Sequence, residues 1–185
     1  MKFTPTGLKD VVLIEPEVRR DGRGFFLEFY RADQYLAAGI RETFVQDNHS
    51  RSGKGVLRGL HGQLHRPQGK LIRVIQGEIF DVAVDVRPDS PTFGRWEGKN
   101  LSADNFLQLF IPAGFLHGFC VLSAIAEVEY RCTDYYDPKD EIGVRWNDPT
   151  IDIRWPLSDP ILSEKDKALP LFEEIKSLLG NFRSR

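Results

Sequence analysis

The sequence predicts an all-β fold, an antiparallel β-sandwich or open barrel with one short early helix and helical segments near the C-terminus. Turn signals rich in Gly, Pro, Asn and Asp recur about every ten residues. The runs between these turns are rich in Val, Ile and Phe, and several alternate with the period of two that is typical of strands. Helix-forming composition is confined to one early segment and the last part of the chain.

The first elements are a pair of strands followed by the early helix. Val11–Val18 and Phe25–Tyr30 are β-branched or aromatic runs, and the Gly- and Asp-rich segment RRDGRG between them predicts a turn. Residues 31–39 have helix-forming composition and end in a glycine, which predicts a helix of about two turns.

Two side-chain amides lie in the next run, residues 43–50, which is predicted as a strand. Its alternation places Gln46 and Asn48 on one face of that strand. Polar residues occupy both faces toward the end of the run. The amides therefore either face a ligand or belong to a strand that frays into a loop.

The strongest strand signal is the segment from Lys70 to Arg87, in which two runs are separated by a turn at Gly77. One face of its second arm is an apolar stripe that must be buried: Phe80, Val82, Val84 and Val86. Asp81 points away from that stripe. It faces solvent in a simple sheet, or a cavity in a sandwich that is buried on both faces.

Residues 95–102 and 106–112 form another predicted pair of strands. Two further residues of interest lie on the inner faces of the strands that follow. His117 is in phase with Phe115 and Phe119 in the run 115–123, so it belongs to an apolar face. Tyr130 points inward in the alternating run 126–133. Each is a hydrogen-bonded core residue or a site residue, and the pattern alone leaves both open.

The last fifty residues change in texture. From Tyr135 onward Asp, Pro and Trp predict long loops with one short strand at residues 144–146. Residues 163–179 are predicted as two helical pieces that break at Pro170. Ser163 and Asp166 are spaced as a helix capping pattern, which is one explanation of that carboxylate.

Composition narrows the class of protein. A net charge of −2 over 185 residues gives no global attraction for nucleic acid or an anionic membrane, so any binding of a polyanion must be local. No apolar run approaches the ~20 residues of a membrane helix. Cys120 and Cys132 are isolated, and the N-terminus lacks the layout of a signal peptide. We expect a cytoplasmic protein whose residues 1–185 form a single domain.

Residues 55–70, GVLRGLHGQLHRPQGK, place two Arg, two His and a Lys between predicted strands. A metal site is one explanation, since His61 and His65 are four residues apart. The three cations Arg58, Arg66 and Lys70 argue against it, because they crowd the place that a metal ion would occupy. No metal is therefore expected.

The second explanation is acid–base chemistry on an anionic substrate. The guanidinium of an arginine donates two hydrogen bonds at once to a phosphate. A histidine with a carboxylate partner acts as a base near neutral pH. Lys70 would stabilise a developing oxyanion, and Tyr130 would exchange a proton from the other side. A non-enzymatic module that binds sugars or nucleotides is the third explanation.

Several motifs appear in the order found in one enzyme family. They are DGRGFFLE, FVQDNHSRS, VLRGLH, QGKLIRVIQGEIFDVAVDVR, SPTFG, IPAGFLHGF, EYRCTDYYDP and LSEKD. As a set they resemble dTDP-4-dehydrorhamnose 3,5-epimerase, a cupin-type enzyme that inverts two carbons of a nucleotide-linked 4-keto sugar. The resemblance implies a cupin-type jelly-roll β-sandwich, no cofactor, and a homodimer that exchanges N-terminal strands.

The resemblance also implies roles for individual residues. His61 corresponds to the general base and Asp166 to its carboxylate partner, while Lys70 lies near the enolate oxygen and Tyr130 is the acid on the opposite face. Substrate-binding or site-lining roles fall to Arg23, Glu28, Gln46, Asn48, Arg58, Asp81, His117, Tyr135 and Tyr136.

The substrate implied is dTDP-4-keto-6-deoxyglucose. A mono-epimerase acting at carbon 3 or 5 alone on a related dTDP-4-keto sugar, and a nucleotide-sugar-binding cupin module, remain alternatives. One geometric condition comes from the strand period. Arg58 and His61 would face opposite sides of a regular strand, so a shared pocket requires a bulge, which Gly59 is expected to supply.

Overall fold

A computed structural model of the protein describes residues 1–180. Its thirteen strands are β1 (Lys2–Pro5), β2 (Val12–Glu15), β3 (Val18–Asp21), β4 (Gly24–Leu27), β5 (Gln46–Gly53), β6 (Leu57–Gln63), β7 (Lys70–Gln76), β8 (Glu78–Asp85), β9 (Trp96–Ser102), β10 (Gln108–Ile111), β11 (Phe115–Val121), β12 (Ile125–Cys132) and β13 (Glu141–Gly143). The helices are α1 (Ala32–Ala37), α2 (Glu164–Lys167) and α3 (Phe172–Leu179). The all-β class, the early helix and the helical C-terminal segments are thus confirmed.

Two antiparallel sheets form the sandwich. The first has the order β1-β2-β10-β7-β12-β5, and the second has the order β13-β6-β11-β8-β9. Strands β3 and β4 form a separate hairpin outside both sheets. This arrangement explains why β8 is apolar on both faces. Its Val82 and Val84 pack under the C-terminal helix α3, whereas Ile79 and Ala83 face the first sheet.

The central core lies between the two sheets. Alternate residues of β7 and β12, among them Ile72, Val74 and Val128, meet Phe119 and Val121 of β11. Apolar burial on these inner faces is the main favourable term in folding. At one end of the same faces the apolar residues give way to polar ones, and there the sandwich forms a site.

The predicted pairing of residues 95–102 with residues 106–112 is wrong, because β9 pairs with β8 in one sheet and β10 pairs with β2 and β7 in the other. The structure also differs from the sequence prediction at several boundaries. Strand β1 was missed, and the first predicted strand divides into β2 and β3 because Pro16 interrupts the ladder. The predicted turn RRDGRG shrinks to Gly22 and Arg23, since its flanking residues pair as strands. A strand at residues 144–146 is wrong, because the pairing with β6 lies at Glu141–Gly143.

The predicted break at Pro170 is confirmed between α2 and α3. Both cysteines are buried free thiols. Within residues 1–180, none of the helices is long and apolar enough to cross a bilayer.

Candidate active site

Two adjoining cavities of about 380 and 210 Å³ open at the polar end of the sandwich. They share His61, Lys70 and Tyr130, which makes one continuous cleft. The larger cavity is also lined by the predicted residues Arg58, His117 and Asp166, and the smaller one by Gln46, Asn48 and Tyr136. Nine of the thirteen predicted residues therefore converge on this cleft.

His61 and Asp166 form a close pair across the cleft wall. The Nε2 atom of His61 lies 2.6 Å from Oδ1 of Asp166, whose side chain is only 6% exposed. Burial acts to raise the pKa of Asp166, but its hydrogen bond and charge interaction with His61 outweigh burial, so the pKa is lowered. An ionised carboxylate only accepts hydrogen bonds. Nε2 of His61 therefore carries the proton, and Nδ1 is left as a base.

Asp166 also occupies the capping position that its sequence spacing suggested. Ser163 caps α2, and its hydroxyl accepts a hydrogen bond from the backbone N–H of Asp166 at 3.1 Å. The cap and the pairing with His61 are thus compatible. The cap fixes the start of the helix, and the helix start presents the carboxylate to the imidazole.

A bulge in β6 brings Arg58 and His61 to the same cavity. His61 pairs with His117 and Arg58 pairs with Phe119, so two residues of β6 lie opposite Gly118 alone. Gly59 has a φ of +125°, and a Cβ atom there would lie 2.5 Å from the Cα of Gly118. The predicted bulge is confirmed, and only glycine satisfies both its backbone angle and its close approach.

Lys70 lies at the start of β7, in phase with the core residues Ile72 and Val74. Burial lowers the pKa of its ammonium group, and the attraction of Cys132, Asp81 and Glu141 opposes that effect without cancelling it. A cation held in this poorly hydrated place interacts strongly with any negative charge that develops in the cleft.

Tyr130 reaches the cleft from β12, where it pairs with Asn48 of β5. Burial raises the pKa of its phenol, Cys132 adds to the increase, and the charge of Arg58 acts in the opposite direction. The hydroxyl therefore stays protonated at neutral pH and is available as a proton donor.

His117 and Asp81 are partners within the second sheet. Nε2 of His117 lies 2.7 Å from Oδ1 of Asp81, whose side chain is fully buried. Asp81 does not line either cavity of the described chain, and it reaches the site through His117. The explanation that exposes Asp81 to solvent is wrong, because its sheet is covered on both faces; the carboxylate faces His117 and not either cavity.

A chain of hydrogen bonds fixes the two amides. The backbone N–H of Tyr136 donates to Oε1 of Gln46 at 3.0 Å, and Nε2 of Gln46 donates to Oδ1 of Asn48 at 3.0 Å. Nδ2 of Asn48 then donates to the sulfur of Cys132 at 3.5 Å. Residues 46 and 48 thus belong to a regular strand and face the cleft, although that strand begins three residues later than predicted.

Three predicted residues lie away from the cavities. Arg23 is at the tip of the β3–β4 hairpin, 91% exposed and paired with Asp21. Glu28 accepts a hydrogen bond from Gln34 of α1. Tyr135 is exposed, and its carbonyl accepts a hydrogen bond from Gln63, which lines the smaller cavity. The single chain does not bring these residues to the cleft.

Sequence reasoning missed several polar residues that line the cleft, among them Ser50, Cys132, Glu141 and Lys165. Strand alternation carries a signal for two of them, because Ser50 is in phase with Asn48 and Cys132 with Tyr130. Lys165 lies in the LSEKD motif beside Asp166. It pairs with Glu141 at 2.6 Å, and this ion pair joins α2 to β13 at the mouth of the cleft.

The side chains of the described residues include no cluster of three or more His, Cys, Asp or Glu arranged to hold a metal ion. His61 and His65, the pair that suggested such a site, have separate carboxylate partners in Asp166 and Asp140.

Comparisons with known proteins agree on one family. The family described as dTDP-4-dehydrorhamnose 3,5-epimerase matches residues 5–174. A relative of that name from Neisseria gonorrhoeae is 57% identical over 91% of this chain, which spans only 52% of that relative. Another from Pseudomonas aeruginosa is 56% identical over 90% of this chain and 93% of its own.

Solved structures point to the same family. A crystal structure of dTDP-6-deoxy-D-glucose-3,5-epimerase from Legionella pneumophila, in complex with dTDP-4-keto-L-rhamnose, is 49% identical and has a TM-score of 0.94. The match covers 100% of this chain and 98% of the solved one. The chain therefore belongs to the dTDP-4-dehydrorhamnose 3,5-epimerase family.

Proposed function

We propose that this protein is an isomerase that inverts carbons 3 and 5 of dTDP-4-keto-6-deoxyglucose to give dTDP-4-keto-rhamnose. The observation that carries the proposal is the convergence of His61, paired with Asp166, with Lys70 and Tyr130 on one cleft. These groups supply a base, a cation and an acid, which are the three functions that inversion next to a ketone requires.

The chemistry follows from the substrate. The carbonyl at carbon 4 acidifies the hydrogens on carbons 3 and 5, so Nδ1 of His61 can take either proton and leave an enolate. Asp166 stabilises the imidazolium that forms, as its lowered pKa indicates. The Lys70 ammonium stabilises the enolate oxygen in a place where water does not dilute its effect. Electrons return to carbon when the enolate is protonated.

Inversion requires the new proton to arrive on the face opposite the base. Tyr130 supplies it, since its raised pKa keeps the phenol protonated until the enolate forms. No cofactor is part of the proposal, because the ketone already present in the substrate acts as the electron sink.

The remaining cleft residues hold the nucleotide sugar. The guanidinium of Arg58 is anchored by the Ser52 hydroxyl at 3.0 Å and is exposed, which suits a phosphate ligand. Gln46, Asn48 and His117 offer hydrogen bonds within the cleft. Tyr135 and Tyr136 place aromatic surface at the opening, where a nucleobase can stack.

We infer that the enzyme works as a homodimer that completes each cleft with the partner's hairpin. Within residues 1–180, β5 is an edge strand whose outer side is unpaired, and it carries Gln46 and Asn48. The β3–β4 hairpin exposes Phe25 and Phe26 and carries Arg23 outside the sheets. Exchange of this hairpin would deliver Arg23 and the nearby Glu28 to the partner's cleft.

Mixed dimers test this exchange. Arg23→Ala and His61→Asn protomers are each expected to be inactive, and co-expression should restore about a quarter of wild-type activity, because half the dimers then hold one complete site. No restoration in mixed dimers would show that Arg23 acts within its own chain.

A second candidate is inversion at one carbon only. A relative from Streptomyces niveus named dTDP-4-dehydrorhamnose 3-epimerase is 39% identical over 95% of this chain. A solved 3'-monoepimerase from Streptomyces bikiniensis has a TM-score of 0.88. The relatives above 50% identity carry the 3,5-epimerase name, which supports inversion at both carbons.

Deuterium exchange separates the candidates. Incubation with dTDP-4-keto-6-deoxyglucose in deuterated water should place deuterium at carbons 3 and 5, as read by NMR. Label at carbon 3 alone indicates the mono-epimerase. Binding of dTDP with no exchange after long incubation indicates a binding module and contradicts the enzyme. We further expect the protein, residues 1–185 in one domain, to work in the cytoplasm, where its two thiols stay reduced.

A further inference from the structure

The wall of the smaller cavity depends on the segment from Asp134 to Glu141. Tyr136 and Glu141 line that cavity, and the Tyr136 hydroxyl donates to Oε2 of Glu141 at 2.6 Å. The segment joins a sheet only where β13 begins. One backbone hydrogen bond, from the N–H of Leu64 to the carbonyl of Asp140 at 3.1 Å, ties the segment to the loop after β6, and side-chain hydrogen bonds make the other links between the two.

Asp140 is the centre of those bonds. Its carboxylate accepts the backbone N–H of His65 at 2.9 Å and of Arg66 at 2.7 Å, and it lies 2.7 Å from Nδ1 of His65. The Asp140 side chain is 7% exposed, whereas that of His65 is 69% exposed. Burial acts to raise the pKa of Asp140, but these donors outweigh it and the pKa is lowered. The carboxylate therefore stays ionised and accepts from all three.

Gln63 fastens the same two loops at a second point. Its buried amide donates to the carbonyl of Arg66 at 2.7 Å and to that of Tyr135 at 3.3 Å, and it accepts the N–H of Asp137 at 2.8 Å. The loop after β6 and the 134–141 segment are thus one hydrogen-bonded unit. His65, which lines neither cavity of the described chain, completes this unit from the solvent side.

We propose that Asp140 and His65 are positioning residues for the nucleotide end of the substrate. They hold the 134–141 segment so that Tyr136 and Glu141 face the ligand before it binds, which reduces the ordering cost of binding. The inference rests on the proposed function for the identity of the ligand. It adds a role for two residues that take no part in proton transfer.

Asp140→Ala and His65→Ala test the inference. Both should raise KM and the dissociation constant for dTDP, by about tenfold for Asp140→Ala, while kcat changes by less than about twofold, because ground-state and transition-state binding fall together. His65→Asn should restore most of the affinity, since the Asn amide nitrogen takes the place of Nδ1. Asp148→Ala is the matched control.

Asp148 is also buried and accepts three backbone N–H groups, from Thr150, Ile151 and Phe172, but it lies away from the cleft. Its loss should lower the melting temperature without changing the dTDP affinity. If Asp140→Ala fails to fold, His65→Ala decides, because that side chain is exposed.

Unchanged dTDP affinity and KM in His65→Ala would overturn the positioning role, and so would a loss no different from that of Asp148→Ala. Titration with dTDP requires no turnover. If the wild-type protein shows no deuterium exchange but the variants lose dTDP affinity, the proposed reaction fails and the positioning role stands. If the wild-type protein shows exchange but the variants keep its dTDP affinity, the positioning role fails and the proposed reaction stands. A wild-type protein that does not bind dTDP contradicts both.

Discussion

Replacing Asp166 by Asn keeps the shape of the side chain and removes its charge. The carboxylate lies 2.6 Å from Nε2 of His61, and an imidazolium at that distance gains about 6 kcal/mol at an effective dielectric constant of 20. This value is a ceiling, because the imidazole is 29% exposed and an amide oxygen still accepts a hydrogen bond. A loss of half, about 3 kcal/mol, lowers kcat about 150-fold.

The assay is steady-state epimerisation together with titration of dTDP. Asp166→Asn should lower kcat by that factor and leave the dTDP dissociation constant within about threefold of the wild-type value. Ser163→Ala is the matched control, because it removes the helix cap and costs about 1 kcal/mol of stability but leaves the carboxylate. If Asp166→Asn behaves like Ser163→Ala, the carboxylate is only a cap and the pairing with His61 has no catalytic part.

Three further predictions address the acid, the cation and the bulge. Tyr130→Phe should reduce formation of inverted product at least about 10²-fold while some deuterium exchange through His61 persists, and equal product from both proteins would move the acid elsewhere. Because burial lowers the pKa of Lys70, kcat/KM should fall as pH rises through a value below the 10.5 of an ordinary lysine. Lys70→Arg should move that fall to higher pH. A pH profile of kcat/KM that is flat to pH 10.5 contradicts the account. Gly118→Ala places a Cβ atom 2.8 Å from the carbonyl oxygen of Arg58. The free energy of unfolding, measured with denaturant, should therefore fall by about 1–3 kcal/mol, and an unchanged value would argue against the tight bulge.

Acid should weaken the fold through Asp166. Its pKa is lower in the folded chain than the 3.8 of a free aspartate, so the carboxylate contributes stability above the unfolded-state pKa. That contribution is lost as pH falls through the folded-state value. Asp166→Asn should therefore flatten the decline in unfolding free energy below about pH 4, measured against urea, and an unaltered decline would contradict the lowered pKa.

Much of the fold could be predicted because the strands follow simple alternation. The runs that form β7 and β8 have turn chemistry between them at Gly77, and the second run carries an apolar stripe. Both features appear in the structure, where the turn leads from one sheet to the other. Pairing between distant segments carries no local signal. Strand β1 and the short β13 exist because β2 and β6 offer hydrogen bonds to them, and the period of so few residues could not reveal that.

Sequence patterns likewise predicted some of the site residues and gave no indication of others. Strand phase predicted inward positions for Tyr130 and His117, and the need for a bulge at Gly59 followed from the spacing of Arg58 and His61. The residues that reach the cleft from the C-terminal loops had no such signal. Lys165 and Glu141 meet across 24 positions of chain, and only the folded loops bring them together.

Arg23 and Glu28 mark a different limit. Family resemblance assigns them to the site, and the described chain places them on or beside an exposed hairpin. The sequence alone does not indicate whether these two residues belong to the cleft of their own protomer or to that of its partner. The mixed-dimer experiment addresses that point directly.

The central claim is that His61 removes the proton next to the ketone. Deuterium exchange by His61→Asn tests it most directly, with dTDP titration on the same sample as a check of binding. The account predicts exchange at carbons 3 and 5 in the wild-type protein and no exchange in His61→Asn, with dTDP affinity unchanged. Exchange at the wild-type rate in His61→Asn would contradict it and assign the base to another residue of the cleft.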